Sequence, residues 1–409
     1  MNRVVVTGMA GFCSLGHEWK SVRDGLLAGR NGVVVMPAWE EMGALQTRLA
    51  APVQGFEKPE HWPRKKARSM GRDSIMATRA SELALLEAGL LEDPALGDGR
   101  TGVAYGSTAG SPAALDEWAE RFYGRRSLSG IGANQYIRFM SHTCAANIAQ
   151  FFGTRGRIIP TCSACTSGSQ GIGYGYEAIK HGYQKIMIAG GAEELGLIDA
   201  AVFDILFAAS TRNGEPDRTP RPFDVDRDGL VVSEGACSFV LEEREHALAR
   251  GAAILSEVLG YATNCDGRHI TNPDTEGMEA VMRMGLESAG LPAAAIGYVN
   301  THGTATEVGD IAESQATARV FGDQVPVSSL KSYLGHALGA CGSIEAWLSL
   351  EMMREGWFCP TLNLDQVDPR CGELDYIREE PRRLEVPIVM SNNFAFGGVN
   401  TSLVFGRGE

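Results

Sequence analysis

Positive charge is scarce in this chain. Its 409 residues carry 37 Lys and Arg against 50 Asp and Glu, a formal net charge of −13. An acidic surface repels phosphate backbones and anionic headgroups, so neither nucleic acid nor an anionic membrane is expected as the main partner. Long apolar runs are missing where a leader or anchor would show them: Met1-Asn2-Arg3 passes at once into the strand-like Val4-Val5-Val6. The expectation is a cytoplasmic protein with no membrane span. Nine cysteines, odd in number and scattered, make no disulfide framework and point to a reducing compartment. No low-complexity segment or short-period repeat interrupts the sequence. A dinucleotide fingerprint is absent as well. Gly8-Met9-Ala10-Gly11 has the glycines of a turn without the GxGxxG spacing, so no cofactor is expected there.

What the chain has in abundance is glycine, 50 residues, in a composition 44% hydrophobic and 21% charged. That balance suits a globular protein with tight turns and close backbone contacts. Strand-like and helix-like stretches alternate. Residues 4–6 read as a strand ending in a glycine turn, 18–28 and 73–89 as helices, 102–106 and 157–161 as strands. Residues 170–181 read as a helix, and 185–189 as a strand ending in a turn at Gly190-Gly191. Similar stretches return later in the chain, with helix 276–289, strand 296–300, helix 310–320, strand 326–328, helix 342–354, then strands 388–390 and 401–405. Such alternation implies mostly parallel sheets covered by helices. The halfway point falls near residue 250, dividing the chain into 1–250 and 251–409.

One stretch carries the clearest chemistry, Thr161-Cys162-Ser163-Ala164-Cys165-Thr166-Ser167-Gly168. An apolar strand stops there at small residues and a helix follows, so Cys165 is expected at a strand-to-helix turn. Free backbone amides and the helix dipole at such a turn favour thiolate over thiol, and small neighbours let a substrate approach. Cys162 and Cys165 also spell CxxC, a spacing shared with thiol-disulfide enzymes and zinc sites. The remainder of either pattern is missing, and Cys162 reads as a packed bystander.

Three further stretches are rich in reactive types beside glycine: Asn300-Thr301-His302-Gly303-Thr304-Ala305-Thr306, Lys331-Ser332-Tyr333-Leu334-Gly335-His336, and Ser391-Asn392-Asn393-Phe394-Ala395-Phe396-Gly397-Gly398. A lone histidine is more often structural than catalytic, but two at strand ends shift that balance. Arg64-Lys65-Lys66-Ala67-Arg68 is the most basic run and reads as a solvated helix start unless the partner is acidic.

Taken together, and with Pro222-Phe223-Asp224 and Ser233-Glu234-Gly235, these motifs resemble the elongating β-ketoacyl-acyl-carrier-protein synthases over residues 4–405. The resemblance implies an α/β thiolase-like fold, two similar halves with stacked five-stranded mixed sheets in α-β-α-β-α layers, and a homodimer or a heterodimer with a related subunit. It implies decarboxylative condensation of malonyl-acyl carrier protein with an acyl group held on Cys165, without a cofactor. By the same resemblance His302 and His336 are the catalytic histidines, Lys331 supports them, and Glu345 pairs with Lys331. Phe396 is the gating aromatic whose amide joins that of Cys165 in an oxyanion hole. Thr304, Thr306, His269 and Thr271 would hold the pantetheine arm. Some members hold a monovalent cation with groups equivalent to Asn300, Glu345, Ser391 and Asn392. The acidic acyl carrier protein would dock on Arg64, Lys65, Lys66, Arg68, Arg125 and Arg126.

The rival readings are a chain-length-factor-like partner without catalysis and a thiolase-type acyltransferase. The presence of Cys165, His302 and His336 argues against both. The sequence departs from the family pattern at Asn393 and Ala395, and Tyr333 stands where smaller residues are common, which places the differences near the acyl channel. The pattern also resembles the ketosynthases of aryl polyene pathways.

Overall fold

The computed structural model describes residues 1–408. Five strands come from the first half of the chain: β1 (Val4–Phe12), β2 (Thr101–Gly106), β3 (Ile158–Thr161), β4 (Ile186–Glu193) and β5 (Gly235–Glu243). Five come from the second: β6 (Ser256–Cys265), β7 (Tyr298–Asn300), β8 (Pro326–Ser328), β9 (Ile388–Ala395) and β10 (Val399–Arg407). Hydrogen bonds order them β3-β2-β4-β5-β1-β6-β10-β9-β7-β8, with a short strand, Asp375–Tyr376, outside β8. The order within each half is the same when read from its outer edge. The pairing directions match too. β2 and β7 are each parallel to both neighbours, and the remaining ladders among the five strands of each half are antiparallel. The halves meet where Val4–Val6 pairs with Ser256–Val258.

The main helices are α1 (Arg72–Glu87), α2 (Thr143–Phe152), α3 (Ser167–Lys180), α4 (Thr275–Ala289), α5 (Glu307–Phe321) and α6 (Cys341–Glu355). Helices α3 and α6 pack on each other and touch strands of both halves. Every residue of α6 from Cys341 to Met353 is buried, so this helix has no solvent face and no need of a polar stripe. The two helices form the middle layer and set their amino ends close together.

Two glycine turns expected from the sequence are strand interior instead. β1 continues through Gly8 and Gly11, and β4 through Gly190 and Gly191. Their lack of a side chain serves packing. A Cβ at Gly8 would lie 2.1 Å from the Ala84 carbonyl of α1, and one at Gly11 would lie 2.6 Å from the Trp347 ring of α6. The basic run forms its own short helix, Arg64–Ala67, separate from α1, and a further helix, Leu197–Ile205, carries no anticipated element. No helix among the described residues is long and apolar enough to cross a membrane.

Candidate active site

Cys165 lies just after β3 and two residues before α3, with Thr166 as the helix cap. The turn is tight: Ala164 adopts φ +49°, a left-handed conformation unusual for a residue with a side chain. Strain of this kind persists only where surrounding packing enforces it, and here it aims a buried sulfur across the helix layer.

The second half meets that sulfur with donors. His336 Nε2 is 3.1 Å from Cys165 Sγ, and the His302 and His336 rings stand edge to face with centroids 5.1 Å apart. The sulfur and one nitrogen of each ring lie within 4.8 Å of one another. The tautomers follow from what faces the far nitrogens. The Leu338 amide donates to His336 Nδ1 at 3.2 Å, and Lys331 Nζ donates to His302 Nδ1 at 3.1 Å. Both Nδ1 atoms are therefore acceptors, and each neutral ring carries its proton on Nε2. Burial pushes both imidazoles well below their usual range, helped by the Lys331 charge, so they stay neutral. The pair is a set of two N–H donors beside a thiol.

Lys331 forms an ion pair with Glu345 Oε1 in a region with almost no solvent contact. Asn393 Nδ2 donates to the other oxygen, Glu345 Oε2, at 2.8 Å. Glu313, on α5, accepts from the backbone N–H of His302 at 2.6 Å and of Gly303 at 2.7 Å, fixing the loop that carries His302. Glu193, at the end of β4, accepts from the Thr108 amide at 3.0 Å and the Gly339 amide at 2.8 Å, joining a first-half loop to the His336 loop. Burial pushes the carboxyls of Glu193 and Glu313 each up to about 8.

The resting sulfur differs from expectation. Burial pushes the Cys165 thiol up to about 12, while the Lys331 charge and the amides of Cys165 and Phe396 pull it down. In this dry site desolvation outweighs the helix end, so the group is a thiol rather than a resting thiolate. The same two amides lie beside the sulfur, where they are available as donors to an oxyanion formed on a group bound there.

A pocket of about 310 Å³ opens onto this centre. Cys165, His302 and His336 lie in its wall with Phe394, Phe396 and Met278. Its chemistry is that of an apolar channel ending at a thiol flanked by hydrogen-bond donors.

Known proteins share this sequence and fold. The pattern of the β-ketoacyl synthase N-terminal domain matches residues 1–247, and that of the C-terminal domain matches residues 255–365. The chain belongs to the β-ketoacyl synthase family. 3-Oxoacyl-[acyl-carrier-protein] synthase 2 of Vibrio cholerae is 38% identical, covering 99% of both chains. The solved structure of a β-ketoacyl synthase from Burkholderia phymatum STM815 is 56% identical over all of both chains, with a TM-score of 0.98. The ishigamide ketosynthase/chain length factor structure is 31% identical over 99% of both chains, with a TM-score of 0.92.

In this synthase Thr304 and Thr306 line the pocket and join through their hydroxyls at 2.8 Å, while His269 and Thr271 lie in an outer loop of the same wall. Asn300 donates to Ser391 Oγ at 3.2 Å and to Glu345 Oε2 at 3.5 Å, and Asn300 Oδ1 and Asn392 Oδ1 are buried without a partner. Buried oxygens without a partner are donors a hard cation takes, and Asn300, Glu345, Ser391 and Asn392 would hold it. Arg64, Lys65 and Arg68 are exposed. Lys66 is folded back, its Nζ 2.5 Å from the Phe151 carbonyl and 5.0 Å over that ring. Arg125 is exposed and paired with Glu120 at 2.6 Å, and Arg126 is exposed.

Two further expectations fail. Cys162 is exposed rather than packed, because β3 is the sheet's edge strand, and its thiol donates to the Thr108 carbonyl at 2.9 Å. Tyr333 does not border the pocket; it is fully buried in the main core. Sequence reasoning gave no role to Asn393, Glu313, Glu193 or the Leu338 amide. Asn393 stood inside a quoted motif. The other three act on backbone or through it, which leaves no motif to read.

Proposed function

We propose that this synthase joins an acyl group held on Cys165 to a malonyl unit, both delivered as thioesters of an acyl carrier protein, and releases a 3-oxoacyl thioester. The observation that carries the reading is the approach of Cys165 Sγ, two Nε2–H donors and two amides at the end of one pocket. In the first step the sulfur attacks the acyl thioester. The amides of Cys165 and Phe396 hold the developing oxyanion, and the thiol proton leaves on the departing carrier thiol. In the second, malonyl thioester loses carbon dioxide, and the enolate oxygen accepts from His302 Nε2–H and His336 Nε2–H. The enolate carbon then attacks the acyl-cysteine carbonyl, and collapse of the adduct returns the sulfur. The steps are redox-neutral and balance with the two thioesters and one proton, which the released thiolate takes from solvent to restore the Cys165 thiol. Lys331 supports the pair by holding His302 Nδ1 as an acceptor, and Glu345 supports Lys331.

Thr304 and Thr306 offer hydroxyls to the pantetheine arm, with His269 and Thr271 at the entrance. Arg64, Lys65 and Arg68 supply the local positive charge that a negative chain needs to bind an acidic carrier, with Arg125 and Arg126 contributing. A dimer through β3 is supported by that strand's unpaired outer edge and by Ile158, 47% exposed. A cytoplasmic setting suits an enzyme that uses a free thiol. The division at residues 1–250 and 251–409 follows the two strand sets.

The test is to mix the purified protein with carriers bearing saturated, unsaturated and aryl acyl groups, weigh the intact enzyme, then add malonyl carrier. One acyl mass on Cys165 followed by carbon dioxide release supports the proposal. Carbon dioxide release without an acyl-enzyme, or neither event with any carrier, overturns it.

A further inference from the structure

Asn393 sits on β9 with no exposed surface. Its Nδ2 donates to Glu345 Oε2 at 2.8 Å and faces His302 Nδ1 at 3.4 Å, with Cys341 Sγ at 3.7 Å. Its Oδ1 has no partner. The amide orientation follows from the network: turned over, Oδ1 would face a carboxylate oxygen at 2.8 Å, acceptor against acceptor. Lys331 makes the matching contacts from the other side, to Glu345 Oε1 and to His302 Nδ1. The same carboxylate and the same ring nitrogen are therefore each reached by two donors, one charged and one neutral.

We propose that Asn393 is a positioning residue that fixes the Nε2–H tautomer of His302 by presenting a neutral donor to its Nδ1. The two donors have separable effects. Lys331 brings a charge that also lowers the proton affinity of the ring, whereas Asn393 constrains which nitrogen carries the proton and adds no charge. A ring that moved its proton to Nδ1 would meet two donors and no acceptor, and its Nε2 would lose the hydrogen that the enolate oxygen needs. A neutral hydrogen bond of this kind contributes about 0.5–1.5 kcal/mol, roughly threefold to tenfold in rate. The role rests on the condensing reading above.

The experiment uses the full-length enzyme and its Asn393→Ser and Asn393→Leu variants. Three quantities are measured: acylation of Cys165 by intact mass, the rate of carbon dioxide release from malonyl carrier, and the protonation of the His302 ring nitrogens by NMR of histidine-labelled protein, assigned with His302→Ala. Asn393→Leu is expected to acylate normally and to release carbon dioxide about tenfold more slowly, with Asn393→Ser in between. Asn393→Leu leaves Lys331 as the remaining donor at His302 Nδ1, and its spectrum is expected to show a share of protonated Nδ1 absent from the parent, which a merely structural role would not produce. A ring spectrum unchanged in Asn393→Leu, or carbon dioxide release at the parent rate in that variant, overturns the proposal. Failure of the parent enzyme itself to acylate would instead sink the condensing reading.

Discussion

The two halves share one strand order and one pattern of pairing directions, yet they supply the site in opposite ways. The first half delivers the nucleophile through backbone conformation: β3 ends, Ala164 turns left-handed, and Cys165 is set beside the start of α3. The second delivers its donors through side chains that hold side chains, Glu345 to Lys331 to His302, with Asn393 closing the circuit. In the proposed reaction the duplicated scaffold separates covalent holding from proton and charge handling.

The largest expected effect breaks the first half's contribution. Cys165→Ala should lower condensation by roughly 10³-fold or more, read as product formation, and should abolish the acyl mass altogether. An acyl mass retained on that variant would move the nucleophile elsewhere.

Next comes the second half's ion pair. Lys331→Met leaves Glu345 buried without its cation and should cost about 3–5 kcal/mol of stability by chemical denaturation, with much of the loss recovered in Lys331→Met/Glu345→Gln. Lys331 is also the strongest influence pulling Cys165 down. In both variants alkylation of Cys165 should therefore shift to higher pH than in the parent.

A smaller effect asks whether the first half also recognises the carrier. Reversing Arg64, Lys65 and Arg68 to glutamate should raise the KM for acyl carrier about tenfold at low salt, with the difference shrinking as salt is added. Alkylation of Cys165 should be unchanged. An unaltered KM would assign docking to another surface.

The smallest probes the bridge between halves. Glu193 is raised from 4.5 to about 8 in the fold. It keeps a proton that the unfolded chain releases, so its contribution to stability is full below about pH 4.5 and is lost as pH rises through about 8. Glu193→Gln should keep the Thr108 and Gly339 contacts and make the fall in Tm between about pH 5 and pH 8 shallower. A slope equal to the parent's would show that the carboxyl is ionised throughout.

The same contrast explains what the sequence revealed. The turn at Cys165 was legible because its requirements are local: an apolar strand, small residues, then a helix. His302, His336 and Lys331 were legible as types beside glycine at strand ends, and the full set of roles came from resemblance to known synthases. The repeated strand order was not legible, because β6 through β10 repeat the pairing geometry of β1 through β5 without repeating their residues. Gly8, Gly11, Gly190 and Gly191 misled as turns because glycine serves close approach as readily as chain reversal: of helices at Gly8 and Gly11, and of the Cys237 and Gly339 carbonyls at Gly190 and Gly191. The fully buried Tyr333 and the exposed Cys162 were misplaced for a common reason: exposure depends on tertiary position, which neighbours in sequence do not specify.

The central claim is that Cys165 holds the acyl group while His302 and His336 drive loss of carbon dioxide. It is tested most directly with His302→Ala protein already acylated on Cys165 and given malonyl carrier labelled at its free carboxyl. The account expects complete acylation and labelled carbon dioxide release slowed by roughly 10²-fold or more. Release at the parent rate from the acylated variant would contradict it.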